Sequence, residues 1–219
     1  MDLIVLAAGR NERLKHIVPP YMKPVLVING EPLIKTIVRE ALCNPVGHLV
    51  VVVAPENAAA IAYVLRPYLR NVDLIVQPDA TGPLDAAFRA LQLCQSELVT
   101  IVCADNVIPP ATLREALCDD RPSISTSMIT VSEAERFTRV KPNGRLIDGP
   151  YSEQEDRALT ERCWIGPVTV HRQRFDAACR VAFDRDTGLT DALDRCGPFR
   201  TYVGNCADIG TPLALKENS

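Results

Sequence analysis

The chain has 219 residues, 47% of them apolar, and a net charge of −3. That length suits one α/β domain with a packed core and is short for two full ones. The mild acidity offers no bulk attraction to nucleic acid or to an anionic membrane, so any bound phosphate must be held by local groups.

From the N-terminus, residues 3–8 form a short, continuous apolar run with no basic region before it, unlike a secretory signal. Similar runs fall at 49–54, 72–76 and 98–104. Continuous rather than alternating apolarity predicts strands buried on both faces, as in a parallel sheet. Helical patterns lie between them. Residues 32–42 carry a stripe of Leu33, Ile34, Ile37, Val38, Ala41 and Leu42, with Pro32 suited to the first helical position. Residues 57–70 are helical in pattern, but Pro67 must kink or split them. Residues 83–94 repeat the stripe with Leu84, Ala87, Phe88 and Leu91. Strand alternating with helix points to an α/β fold with right-handed crossovers.

The second half reads differently. Residues 124–131 are a strand, and 137–141 and 145–147 flank a Pro-Asn-Gly hairpin turn. Residues 150–161 are polar and aperiodic, fitting either a loop over a site or a solvated connection. Residues 164–171 form a strand, 173–183 and 190–196 helices, and 199–203 a last strand. A short helix is expected after Thr211-Pro212. No apolar stretch approaches the roughly 20 residues that span a bilayer. The eight cysteines include no C-x-x-C pair, so they read as reduced thiols of a cytoplasmic protein rather than disulfides or zinc ligands. His16, His48 and His171 fit no triad or metal spacing.

The first strand runs into Leu6-Ala7-Ala8-Gly9-Arg10-Asn11-Glu12-Arg13, followed by Lys23-Pro24. Neither a P-loop nor the three-glycine dinucleotide fingerprint is present. Small residues at the carboxyl end of a parallel strand let a ligand approach the backbone, whose N–H groups can cradle an anion. Arg13 and Lys23 can then neutralise phosphate oxygens. Gln77 at a strand end offers a donor and an acceptor to a base edge, and Gly82 permits close backbone approach. Asp105 closes the fourth apolar run, where a carboxylate is costly without a ligand and suits Mg²⁺ as a hard oxygen donor. Asp208-Ile209-Gly210-Thr211-Pro212 supplies a second carboxylate far downstream.

These segments, in this order, resemble the sugar-1-phosphate nucleotidyltransferase family. Its opening signature is L-A-A-G-x-G-x-R followed by a Lys, and Gly9, Arg13, Lys23 and Pro24 match it. Asn11 stands at the second glycine, and Asn tolerates left-handed backbone better than most residues. The resemblance implies a Rossmann-like three-layer α/β/α fold with a central, mostly parallel mixed sheet. It implies one nucleotidyltransferase domain, with a nucleotide-binding half at 1–120 and an acceptor-binding half at 121–219. It also implies that Leu6, Ala7, Ala8, Gly9, Arg13, Lys23, Gln77, Gly82 and Asp105 bind an NTP, and that Asp105 and Asp208 hold Mg²⁺. Arg13, Lys23, Asp105 and Asp208 are then the catalytic set. Gly166 and Asp191 match acceptor-binding segments, with Asp191 equally suited to capping a helix.

The resemblance thins toward the acceptor. Asp148-Gly149-Pro150 stands where the family has Glu-Lys-Pro, and Gly188 where it has a Glu. Trp164 reads as core more readily than as a stacking platform. The partners implied are an NTP and a phosphorylated small-molecule acceptor, with no nucleic acid and no membrane; the sequence leaves room for a homo-oligomer. A cytidylyltransferase acting on a phospho-alcohol or phosphonate, and a non-catalytic nucleotide-binding module, are the alternatives. A molybdenum-cofactor-type nucleotidyltransferase shares the opening loop but not the Asp-x-Gly-Thr-Pro ending.

Overall fold

The computed structural model describes residues 1–14, 16–130, 134, 137–148 and 160–209; the side chains of Arg13 and Thr130 lie outside that description. The four apolar runs become strands β1 (Asp2–Leu6), β4 (Leu49–Val53), β5 (Asp73–Val76) and β6 (Leu98–Cys103). They lie side by side in the order β6-β1-β4-β5, all parallel. β1 and β4 are buried along their whole length. Alternate residues serve opposite faces: Ile4, Leu6, Val50 and Val52 join one core, while Leu3, Val5, Val51 and Val53 join the other. That double burial is why the runs are continuously apolar.

Helices α1 (Leu33–Leu42), α2 (Ala58–Val64) and α4 (Pro110–Cys118) cover the Leu3/Val5 face. Helices α3 (Pro83–Leu91), α5 (Arg172–Asp184) and α6 (Leu189–Cys196) cover the other. The result is the expected three-layer α/β/α arrangement. Pro32 proves not to open α1. It is the residue before the helix and pairs with Val27 in the small hairpin of β2 (Val27–Ile28) and β3 (Glu31–Pro32). The 57–70 pattern splits as Pro67 requires: α2 ends at Val64 and a 3₁₀ segment runs Arg66–Asn71.

The second half extends the same sheet. β11 (Thr160–His171) runs antiparallel to β6, to β8 (Ser123–Thr130) and to β9 (Arg139–Val140). β9 pairs with β10 (Leu146–Ile147) across the predicted Pro-Asn-Gly turn, in which Gly144 takes φ +78°. β12 (Arg200–Val203) adds parallel to β8. The expected polar stretch at 150–161 falls outside the described residues except for Thr160 and Glu161, which belong to β11. The expected C-terminal helix also lies outside them. Among the described residues no helix is long and apolar enough to cross a membrane.

One buried carboxylate anchors the sheet. Asp2, 1% exposed, accepts from the backbone N–H groups of His48, Gln95 and Ser96 and from the Ser96 hydroxyl, at 2.6–2.9 Å. It thereby ties the start of β1 to the turns that precede β4 and β6.

Candidate active site

The carboxyl ends of β1, β4, β5 and β6 all open at one end of the sheet, where open parallel sheets bind ligands. A cavity of about 490 Å³ lies there. Leu6, Ala7, Ala8, Gly9, Lys23, Gln77, Gly82, Asp105 and Asp208 all line it, together with Arg10, Asn11 and Glu12. The predicted positions thus converge, apart from Arg13, Gly166 and Asp191. Arg13 falls in a 3₁₀ turn (Glu12–Leu14) between two lining residues, and its side chain is outside the described set.

The loop after β1 owes its shape to two asparagines. Asn11 takes φ +49°, the left-handed conformation that Asn adopts more readily than most residues. Its Nδ2 donates to the carbonyls of Val18 (3.3 Å) and Pro19 (3.1 Å), closing the loop on itself. Asn57, fully buried, accepts from Ala54 N–H at 2.9 Å and donates to the carbonyls of Ala7 and Tyr21, both at 2.8 Å. One side chain therefore ties the cavity-lining loop after β1 to the turn at Tyr21 and to the loop after β4. Sequence reading placed Asn57 only at a helix start. An Asn before a helical pattern signals a cap, and nothing in the spacing shows that this amide faces inward. At Gly9 an added Cβ would meet no atom within 4 Å, so the space above this backbone is open to the cavity it lines.

Two carboxylates meet at the floor. Asp105 follows β6, and its Oδ2 accepts from the Lys23 ammonium at 2.7 Å; Lys23 is 8% exposed. Asp208 arrives about a hundred positions later on β13 (Ala207–Asp208), which pairs antiparallel with β7 (Asn106–Val107) and sets Asp208 opposite Asn106. Ile209 N–H also donates to the Asp105 carbonyl at 3.2 Å. Backbone pairing thus supplies what spacing could not. Both carboxylates act on Cys103 between them. Burial first, then the charges of Asp105 and Asp208, push its thiol far above the usual range, with Lys23 opposing. Cys103 is accordingly no nucleophile. No group of three or more His, Cys, Asp or Glu suited to a metal occurs among the described residues. Two carboxylates are nevertheless a complete protein share for Mg²⁺, which takes one or two of them plus waters and substrate phosphates.

The turn after β5 forms another wall. Gly82 takes φ +93° and precedes Pro83 at the start of α3, a backbone that disfavours any side chain. Gln77 is buried, and its Nε2 donates to Thr81 Oγ1, Gly82 O and Asp85 Oδ2 at 2.9–3.0 Å.

A second cavity of about 220 Å³ shares Cys103, Asp105 and Asp208 with the first and is otherwise lined by Asn106, Phe137, Thr138, Trp164, Ile165 and Gly166. Gly166 sits at a register break in β11 with φ +98°. An added Cβ there would lie 2.5 Å from Cys206 Sγ. Its N–H donates to Asn106 Oδ1 at 3.1 Å, and its carbonyl accepts from Trp164 Nε1 at 3.0 Å. Trp164 is therefore half-exposed wall as well as core. Phe137 and Thr138 went unremarked as site residues, because they precede the two-residue strand β9 and no period orients them. The hairpin bearing them is fixed to α6: Asp194 accepts from Leu146 N–H and pairs with Arg145. Asp191 lines neither cavity. Its carboxylate accepts from the Thr187 hydroxyl and pairs with Arg195 one turn along α6; it does not cap that helix, whose N-cap is Gly188.

Known structures with this fold include UDP-glucose pyrophosphorylase solved with UDP-glucose, at 15% identity and TM-score 0.75, covering 99% of this chain and 96% of that one. An inositol-1-phosphate CTP transferase from T. maritima aligns at 20% identity and TM-score 0.70, covering 97% and 90%. A putative glucose-1-phosphate thymidylyltransferase from Bacillus anthracis, in complex with a sucrose, aligns at 18% and 0.77, covering 100% and 93%. No curated protein matches the chain. The model of the MobA-like NTP transferase domain matches residues 3–198, an interval that holds the whole glycine loop, Lys23, Gln77 and Asp105. By that match the chain belongs to the MobA-like NTP transferase domain family.

Proposed function

We propose that this protein is a cytoplasmic, Mg²⁺-dependent nucleotidyltransferase that moves a nucleoside monophosphate from an NTP onto a phosphorylated acceptor, a sugar 1-phosphate in the first instance. The observation that carries it is the meeting of two cavities at Asp105 and Asp208, with Lys23 of the larger one paired to Asp105. The NTP occupies the larger cavity, with its phosphates over the Ala7–Gly9 backbone and its base toward Gln77 and Gly82. The acceptor occupies the smaller one, against Gly166 and Trp164. On this reading the nucleotide-binding half is 1–120 and the acceptor-binding half 121–219.

An oxygen of the acceptor phosphate attacks the α-phosphorus, the bond to the β-phosphate oxygen breaks, and pyrophosphate leaves. The nucleophile is already anionic, so no strong general base is needed, and the raised Cys103 thiol takes no part. Asp105 and Asp208 would hold Mg²⁺, which when bound neutralises charge on the phosphates. Lys23, placed beside Asp105, would exchange that carboxylate for phosphate oxygens. Arg13 would add a guanidinium to the same phosphates. Catalysis is then positioning plus charge neutralisation.

A phospho-alcohol acceptor is the second reading. Asp148-Gly149-Pro150 replaces the lysine-bearing segment, and among the described residues no Lys or Arg lines the smaller cavity. The test is pyrophosphate release in Mg²⁺ over a matrix of NTPs and phosphorylated acceptors, with Asp105→Ala as control. Release that needs one NTP, one acceptor and Asp105 is expected. Silence on sugar phosphates with turnover on a phospho-alcohol would transfer the assignment to the second reading. NTP binding without any turnover would sink the catalytic proposal.

A further inference from the structure

Gln77 sits in the wall of the larger cavity, and the chemistry around it leaves its amide one orientation. Its Nε2 lies 2.9 Å from the Asp85 carboxylate and 3.0 Å from the Gly82 carbonyl. Both partners carry only lone pairs, so the atom facing them must be the NH₂. Turning the amide over would set its oxygen against two acceptors. Thr81 fits the same pattern: its hydroxyl donates to Asp85 Oδ2 at 2.6 Å, leaving its lone pairs for Gln77 Nε2 at 3.0 Å.

Asp85 is itself held. Its Oδ2 accepts from Arg89 Nε at 2.7 Å, one helical turn along α3. Burial raises the Asp85 carboxyl, but hydrogen bonds from Arg89, Thr81 and Gln77 outweigh it and hold the group below the usual carboxylate range. Asp85 is therefore an acceptor at neutral pH. Among the described residues Gln77 Oε1 has no hydrogen-bond partner, yet it is not one of the buried polar atoms cut off from solvent. It is the end of the amide left accessible, at a residue that lines the larger cavity.

We propose that Asp85 is a positioning residue that locks Gln77 with its carbonyl oxygen toward the nucleobase, so that the site selects a base presenting an N–H at that edge. This rests on the nucleotidyltransferase reading above and adds to it a device for base choice. Asp85 touches no substrate and acts only through Gln77. A free glutamine amide can present either a donor or an acceptor by rotating about its last bond. A locked one presents the acceptor alone, and discrimination follows from leaving a wrong base unpaired.

The test measures binding of ATP, CTP, GTP, UTP and dTTP by calorimetry, in Mg²⁺ and without acceptor, so that it does not depend on turnover. Wild type should favour one base. Asp85→Ala should shrink the ratio between the best and next nucleotide by about tenfold, the worth of one hydrogen bond to a base. Asp85→Asn should retain the ratio, because its Oδ1 can take the same three bonds. In a Gln77→Met background, Asp85→Ala should add nothing, since the two act as one unit. An unchanged ratio in Asp85→Ala, or a further loss in the double variant, would overturn the proposal. Should Asp85→Ala not fold, wild type is offered the preferred nucleotide with its base N–H methylated. Loss of about tenfold or more supports the lock, and intact binding overturns it. Failure of wild type to bind any NTP would instead overturn the nucleotidyltransferase reading itself.

Discussion

Replacing Asn57 by alanine tests how the cavity wall is held. The side chain is fully buried and makes three hydrogen bonds: one from Ala54 N–H and two to the carbonyls of Ala7 and Tyr21. Alanine leaves those three backbone groups without their partner. Each sealed orphan costs about 1–3 kcal/mol, and less where water can enter. Tyr21 is half-buried while Ala7 and Ala54 are buried, so two groups count in full and one in part. The expected loss is about 3 kcal/mol, or roughly 6–12 °C in Tm for a chain of this size. Urea unfolding would show it as a lowered midpoint at constant slope. On the proposed function NTP affinity should fall as well, because the Ala7 carbonyl belongs to the loop proposed to carry the phosphates. Asn57→Asp separates the two halves of the argument. It keeps an acceptor for Ala54 but points an oxygen at two carbonyls, which raises its folded-state pKa above the unfolded value. The penalty should be full above the folded pKa and shrink as pH falls through it. A loss below about 1 kcal/mol in Asn57→Ala, with NTP affinity intact, would refute the reasoning.

Gly166→Ala should cost roughly 2–4 kcal/mol, because positive φ and overpacking both penalise the methyl. Cys206→Ala in the same chain should return part of that in thermal melts, and no return would place the strain elsewhere. Lys23→Met should have opposite effects on Mn²⁺ binding followed by electron paramagnetic resonance. Without nucleotide the metal should bind roughly three- to tenfold tighter, since no ammonium competes for Asp105, and with NTP present it should bind more weakly. Equal shifts in both conditions would refute the handover of Lys23 from carboxylate to phosphate.

What the sequence disclosed depended on how strongly each element was patterned. β1 and β4 were legible because burial on both faces forces every residue to be apolar. α1 and α3 were legible through their stripes, and the β9–β10 hairpin through its turn residues. Gln77 and Asp105 stood out because polar residues follow apolar strands there, Lys23 through its place in the opening signature, and Gly82 as the glycine before a helix. β7 and β13 were illegible: two residues have no period, so only the fold reveals that Asp208 lies opposite Asn106. The register break at Gly166 was hidden within a strand-like run, and its dependence on Cys206 is a long-range contact that local composition cannot encode. Gln77 stood out as a candidate base contact, but its partner Asp85 looked like any acidic residue in the first turn of a helix.

The pairing of β13 with β7 bears on the order in which the molecule becomes competent. Of the described residues lining either cavity, Asp208 is the last in the chain. During synthesis the glycine loop, Lys23 and Asp105 emerge long before it, and β1, β4, β5 and β6 can associate as a unit. A nascent chain halted before residue 207 therefore has the larger cavity with Asp105 paired to Lys23 but without the carboxylate that faces it from β13. Asp208 reaches the floor only when the short β7–β13 ladder closes, which makes assembly of the Asp105–Asp208 pair a late step in building the site.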